Sequence, residues 1–325
     1  MRILTLDDII ETYAKLNQRG INFIVSKFQF NKERRSKTAF NHESIKSSNW
    51  WIIPEVIKRW NKLVTGSENL SIEDFSVKSF LRGQSNLKML SLGSGNCNSE
   101  LKFAKHNQFS EILCTDISEI PLNLAKKIAH KKGLSNIKFQ VQNANTFNFP
   151  KSYYDIIYFR ASLHHFENLE YFISKSLKDS LKKNGYLIID EYVGPNRLQF
   201  PKHQIKTIND ALKSIPKKYR KRFNLKLYKN KVYGSGLLRM ILADPSECIE
   251  SEKILPTIRT HYKTVYEANY GGNILLSTLK DISHHFINLN DETSKILLNL
   301  FEKEDLYLEN NQSDFVFGIY KKEGE

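Results

Sequence analysis

Met89-Leu90-Ser91-Leu92-Gly93-Ser94-Gly95 is a short apolar strand running into two glycines one residue apart, with a helical stretch behind it. Twenty-three positions after Gly93, a second apolar run, Ile112-Leu113-Cys114-Thr115, ends in Asp116. Two strands closed in this way, one by a glycine turn and the next by an acid, form the half-fold that holds an adenosine ligand. The glycines let the backbone turn tightly and approach the ligand, and the acid takes the ribose hydroxyls.

Outward from this stretch, strands and helices alternate over 86–193, the pattern of a parallel sheet with helices on both faces. Strands are expected at 87–92, 111–115, 137–142, 154–159 and 186–190, with helices at about 99–106, 121–132 and 169–181. Gly133 ends the second helix, and Asn184-Gly185 turns into the fifth strand. Residues 1–85 read as a helical cap. Leu6 to Leu16 has helical spacing, 31–37 is a polar loop, and Pro54 suits the first turn of a helix bearing Ile57 and Trp60. Trp50, Trp51 and Trp60 all fall in this cap, as core or as a cover that keeps water from a ligand. Residues 195–325 combine helical insertions, at about 200–260 and 274–308, with two last strands at 262–270 and 314–320. Those two are expected as an antiparallel pair finishing the sheet. The fold predicted is α/β: a doubly wound, Rossmann-like sheet, mostly parallel with an antiparallel C-terminal strand, between a helical N-terminal cap (1–85) and the insertions that follow the core (86–194).

With 325 residues, 40% hydrophobic and 26% charged, the chain has ample material for a globular core. Its net charge of +14 has two readings: a basic face for nucleic acid or acidic substrates, or lysines spread over a solvated surface. The densest basic run, Lys217 to Lys231, interleaves Tyr219, Phe223, Leu225 and Leu227, so it reads equally as one wall of a helix or strand. Cys97, Cys114 and Cys248 form no Cys-x-x-Cys pair, which argues against a disulfide scaffold and for a reducing, cytoplasmic setting. Asp7, Asp8 and Glu11 make the N-terminus an amphipathic helix and not a leader. No apolar run approaches the roughly 18 residues that cross a bilayer, so a soluble protein without a membrane partner is expected.

The frame Gly93-Ser94-Gly95-Asn96-Cys97-Asn98 carries Asn where a dinucleotide fold wants a third glycine beneath the pyrophosphate. A ligand without a pyrophosphate does not need it. Over about 86–193 the ordered motifs resemble class I S-adenosylmethionine-dependent methyltransferases. Members of that family usually carry an acid two residues before the first glycine and another glycine two after the second; here Ser91 and Cys97 stand at those places. The resemblance implies S-adenosylmethionine as cofactor, with Gly93, Ser94 and Gly95 against it and Asp116 and Ile117 at its ribose. Ala144 and Asn145 would meet the adenine ring, where an amide oxygen can accept from the amino group. Arg160 and Ala161, just after the fourth strand, would lie over the methyl donor.

The segment Asp155 to Phe166 contains Leu163-His164-His165 and resembles the small-molecule branch of the family, that of the quinone and sugar methylases. The resemblance sets the paired histidines beside the acceptor, where an imidazole with a pKa near 6.5 takes a proton from a hydroxyl. Adjacent residues point different ways, so either His164 or His165 is that base. Glu191, at the end of the fifth strand, matches the acid lying across the pocket in related sugar methylases, to orient the imidazole or bind a hydroxyl. The sequence lacks an Asn/Asp-Pro-Pro-Tyr after the fourth strand, the arrangement that grips an exocyclic amine, and a Pro-Cys pair, the thiolate of pyrimidine-C5 methylation. His261, His284 and His285 lack carboxylates at ligand spacing and read as structural, and no metal is expected. Asp244-Pro245-Ser246-Glu247 and Tyr270-Gly271-Gly272-Asn273 read as parts of an acceptor lid, with the two glycines as its hinge. The activity expected is methyl transfer from S-adenosylmethionine to an oxygen of a small polar molecule, such as a sugar or secondary metabolite. The rivals are an RNA methyltransferase using the basic run, a noncatalytic nucleotide-binding protein, and a dehydrogenase, which Asn98 disfavours.

Overall fold

The structure, a computed structural model, describes residues 1–19 and 48–323. The polar loop expected at 31–37 lies outside the described residues. Seven strands form one sheet: β1 Leu87–Leu92, β2 Phe109–Asp116, β3 Ile137–Val141, β4 Tyr154–Arg160, β5 Leu181–Tyr192, β6 Lys263–Gly271 and β7 Phe315–Lys321. Their spatial order is β3-β2-β1-β4-β5-β7-β6. The first five pair in parallel, and β7 runs antiparallel to both β5 and β6. Strand β7 thus lies inside the sheet and β6 at its edge. The burial of each strand fits this order: the apolar middle of β7 is buried throughout, while β6 is exposed or half-buried along most of its length.

Before the sheet come α1 (Leu6–Arg19), α2 (Pro54–Thr65) and α3 (Ile72–Phe80). Pro54 stands in the first turn of α2 and Gly66 ends it at φ +78°; the Ser71 hydroxyl caps α3 by accepting from the Asp74 N–H at 3.1 Å. Between strands lie α4 (Glu100–Phe103), α5 (Glu119–Lys131) and α6, which begins at Leu169–Tyr171 and runs through a π-helical stretch, Phe172–Leu177, to Lys178–Ser180. After β5 come α7 (Lys202–Lys213), α8 (Leu237–Ala243), α9 (Ile254–His261), α10 (Leu275–Leu279) and α11 (Asp291–Leu308). No helix among the described residues is long and apolar enough to cross a membrane.

Strand alternation divides the core. Met89, Ile112, Ile156 and Ile188 belong to one buried cluster, and Leu90, Ile157, Leu187 and Ile189 to another, so both faces are covered by helices, as parallel strands require. A third cluster joins Trp50, Ile53 and Val56 to apolar residues of α7, α10 and α11. Trp50 packs on Trp60 and Phe315 within it, whereas Trp51 is half-exposed. The cap and the C-terminal insertions therefore pack on each other.

Four expectations are corrected. Asn184-Gly185 is not a turn before β5 but a bulge within it, where Leu181 pairs with Tyr154 and Tyr186 with Ile156. Asn184 takes φ +64°, and a Cβ on Gly185 would lie 3.0 Å from the Asp155 carbonyl, so the chain bends there without leaving the sheet. The helix expected at 99–106 is only the single turn of α4. The helical stretch at 274–308 is broken: Asp281 takes φ +69°, and a capping box between Asn290 and Thr293 starts α11 afresh. The basic run forms neither helix nor strand but a 3-10 turn, Lys217–Arg220, and irregular chain tied by one bridge between Lys221 and Tyr228.

Candidate active site

The chain leaves β1 with Gly93 at φ +68° and Gly95 at +49°. A Cβ on Gly93 would stand 2.7 Å from that of Ser162, so this position needs glycine for both conformation and space. Cys97, where the family's further glycine usually stands, also takes a left-handed conformation, φ +52°. The Gly95 N–H donates to Asp116 Oδ2 at 2.9 Å, and the Ser118 N–H to Oδ1 at 2.8 Å. Burial pushes the Asp116 carboxyl up against the pull of these donors. Each of its oxygens keeps a further lone pair for a ligand hydroxyl. Ile117 and Ala144 are half-buried nearby in the chain, Ala144 packing on the second core cluster; the side chain of Asn145 lies outside the described residues.

Beside the glycine turn is a cavity of about 450 Å³, lined among others by Trp51, Glu73, Ser94, Asn98, Arg160 and Ala161. Asp116, Ile117 and Ala144 do not line it. Arg160 hydrogen-bonds the Ser99 hydroxyl and pairs with Asp190 at 3.2 Å and Glu73 at 3.5 Å. Glu73 also accepts from Ser99 at 2.6 Å and from Lys102 at 3.0 Å. Burial works against its charge, but Arg160 and Lys102 prevail and hold its carboxyl below the ordinary range. Ser91 donates to Glu100 Oε1 at 2.6 Å, and burial pushes Glu100 up to about 7. A carboxyl therefore reaches the position where the family has an acid, but from α4.

The two acids ending β5 point to different partners, as neighbours on a strand must. Asp190 accepts from the Tyr270 hydroxyl at 2.6 Å besides its pair with Arg160. Fully buried Glu191 accepts from the N–H groups of Ser162 (2.8 Å), Leu163 (2.7 Å) and Tyr192 (2.9 Å), and from His164 Nδ1. Burial disfavours a charged His164, but the Glu191 carboxylate, aided by Glu247 and Asp244, outweighs it and raises the imidazole to about 9. Burial and the charge of His164 lower His165. His165 Nδ1 lies 3.1 Å from the Ser246 hydroxyl, and its Nε2 3.9 Å from Glu247 Oε2.

Glu247 and Asp244 also line a second cavity, of about 500 Å³, whose walls include Glu11, Lys15, Lys229 and Arg239. Trp51 borders both cavities. The basic run contributes inward: Lys229 is buried, donating to the Ser277 and Lys280 carbonyls at 2.6 Å each, and Arg222 is buried against Asp281. His284 meets Ser48 at 3.0 Å, and His261 meets Glu170 at 2.6 Å. Gly271 and Gly272, expected as a hinge, are buried at φ +88° and +90°, and a Cβ on Gly272 would stand 2.3 Å from the Phe315 ring.

Residues 83–261 match the family profile described as a methyltransferase domain. The chain belongs to this methyltransferase family, of the class I, S-adenosylmethionine-dependent kind. The chain is 28% identical over 128 residues to YcgJ of Bacillus subtilis (strain 168), an uncharacterized methyltransferase, covering 36% of this chain and 49% of that protein. It thus spans about half the length of this curated relative. The crystal structure of YcgJ is similar at 16% identity, with 78% of this chain and 98% of that one covered and a TM-score of 0.42. The [4+2]-cyclase SpnF is similar at 15% identity over 78% of this chain and 80% of its own, with a TM-score of 0.47. Phosphoethanolamine N-methyltransferase 2 of Haemonchus contortus, in complex with S-adenosyl-L-methionine, is similar at 13% identity over 93% of this chain and 59% of its own, TM-score 0.47.

Sequence reasoning did not single out Glu73, which lines the smaller cavity, and gave Glu247 no role beyond a lid. Glu73 is one acid on an amphipathic helix, with no signal to separate it from surface charge. Glu247 stands in a tetrapeptide that sequence reasoning did single out, but its approach to residues some 80 positions earlier is a tertiary fact.

Proposed function

We propose that this methyltransferase moves the methyl group of S-adenosylmethionine to an oxygen of a small polar acceptor. The observation that carries the reading is a pair of cavities meeting at Trp51, one beside the glycine turn and the other walled by charged side chains. The adenosine end of the donor would lie over Gly93, Ser94 and Gly95, with Asp116 and Ile117 at the ribose and Ala144 and Asn145 at the adenine. Its amino-acid end would enter the smaller cavity beside Arg160 and Ala161, where charged Glu73 takes the ammonium that Ser91 cannot neutralise. The acceptor would fill the larger cavity, its hydroxyl reaching past Glu247 towards His164 and His165, with Glu191 holding His164 from behind, and the hydroxyl proton would leave on that side. Alignment of acceptor oxygen, methyl carbon and sulfur supplies most of the acceleration, up to about 7–11 kcal/mol. Three buried, unpaired cysteines support the cytoplasm as its setting.

The test is calorimetry with S-adenosylmethionine. A carboxylate holding a ribose diol contributes about 1.5–3 kcal/mol for each charge-assisted bond, so Asp116→Ala should weaken donor binding about tenfold or more. Glu73→Gln should weaken it by a similar factor. Donor affinity unchanged in both variants overturns the reading.

A further inference from the structure

His164 and His165 share an arrangement that a proton relay does not require. Each imidazole is tied through Nδ1 to a group behind it: His164 to buried Glu191, and His165 to the Ser246 hydroxyl, which itself donates to Asp244 Oδ1 at 2.6 Å. Both Nε2 atoms then face one carboxylate. His164 Nε2 lies 3.6 Å from Glu247 Oε1, and His165 Nε2 lies 3.9 Å from Glu247 Oε2. One ligand atom from each of the three residues falls within 4.8 Å of the others. These separations are long for hydrogen bonds. Two donors each about 2.1 Å from an ion at a tetrahedral angle stand about 3.4 Å apart, close to the 3.6 Å between His164 Nε2 and Glu247 Oε1. A carboxylate behind a histidine fixes the tautomer and raises the basicity of the other nitrogen, the usual support for a metal-bound imidazole.

We propose that His164, His165 and Glu247 bind one divalent first-row transition-metal ion. Two imidazole nitrogens and one carboxylate oxygen suit Zn²⁺, Fe²⁺ or Mn²⁺ and leave coordination positions open. Of the three, Glu247 lines the larger cavity, which puts the ion site beside the space assigned to the acceptor. The inference rests on the methyl-transfer reading and deepens it: the acceptor is a molecule whose hydroxyl can ligate the ion. The ion draws electron density from that hydroxyl, whose proton passes to solvent. An oxygen lone pair forms the bond to the methyl carbon while the carbon–sulfur bond breaks, its electron pair returning to sulfur and cancelling the sulfonium charge. The expectation of no metal rests on His261, His284 and His285 alone, whereas His164, His165 and Glu247 converge from two segments about 80 residues apart in the chain.

The experiment uses the full chain, free of any histidine tag and stripped by chelator, titrated with Co²⁺ alone and followed by calorimetry and visible absorption. One equivalent is expected, with ligand-field bands of a nitrogen- and oxygen-bound ion. Glu247→Gln and His165→Ala should each weaken uptake about tenfold or more, and Glu191→Gln, which keeps the side chain's shape but removes the charge behind His164, by about 10–100-fold. His261→Ala should bind as the parent does. No stoichiometric uptake by the parent protein, or equal uptake by Glu247→Gln, overturns the proposal. S-adenosylmethionine binding is measured on the same samples. Donor binding without metal binding overturns this inference alone, and metal binding without donor binding overturns the methyl-transfer reading instead.

Discussion

Glu304 places its carboxyl in the interior with Oε2 accepting from the N–H groups of Leu275 (2.7 Å) and Ile274 (3.3 Å) at the start of α10. Burial pushes it up to about 7, with those donors and the charge of Arg59 pulling it back. An unfolded Glu titrates near ~4.3. Between these values the unfolded chain has released a proton that the folded chain keeps, so this group's stabilisation is greatest in acid and is lost as pH rises towards 7. Glu304→Gln keeps an oxygen for the two N–H groups and cannot ionise. In urea unfolding, the variant should gain about 2–3 kcal/mol on the parent between pH 5 and pH 8; a difference that does not move with pH would refute the assignment. At this scale the sequence was readable where a residue's neighbours in the chain determine its setting. Gly93, Gly95 and Asp116 stand at strand ends that hydrophobic pattern alone locates. The substitutes for the missing family residues were not readable: Cys97 takes the glycine's backbone conformation, and Glu100 reaches the place of the missing acid from the next helix.

The turn after β1 shows how an element imposes different demands on two glycines. Both are left-handed, but a Cβ on Gly93 would collide with Ser162, whereas one on Gly95 would meet nothing within 4 Å. Gly95→Ala should therefore cost about 1 kcal/mol, the conformational term alone. Gly93→Ala adds a clash between the ends of β1 and β4 and should cost about 1–3 kcal/mol more. Equal denaturation midpoints for the two variants would contradict this account. Strand positions came through from sequence to within a few residues because buried parallel strands are short apolar runs between turn residues. The order of the last two strands was open to reading as well: β7, Phe315–Lys321, is more apolar than β6, and it is β7 that lies inside the sheet. The bulge at Asn184-Gly185 was read as a turn because the same residues serve both purposes.

At the scale of the molecule, the wall of the larger cavity is assembled from segments that the sequence gives no reason to bring together. Arg2 donates to the Phe200 carbonyl at 2.8 Å, Asp7 accepts from the Tyr233 and Gly234 N–H groups, and Glu11 pairs with Lys280 at 2.9 Å. These contacts join positions about 200–270 residues apart. The centre of the lacing is Asp8, buried, whose Oδ1 accepts from the Gly236 N–H at 2.9 Å and from Arg239 Nε at 2.8 Å, and whose Oδ2 accepts from the Thr5 N–H at 2.7 Å. Asp8→Asn places an amide where three donors converge and leaves Arg239 with Glu11 as its remaining acid partner, 3.2 Å away. Breaking a buried pair from one side costs about 3–5 kcal/mol, enough to free α1 and α8 without unfolding a sheet whose core lies elsewhere. Hydrogen exchange should therefore quicken in 6–19 and 234–243 and stay unchanged in β1, β4 and β5, while affinity for S-adenosylmethionine holds within about twofold, because the residues proposed to hold the donor lie on neither helix. Exchange that quickens evenly across the sheet would mean that α1 supports the whole fold and does not act only as a wall of the larger cavity.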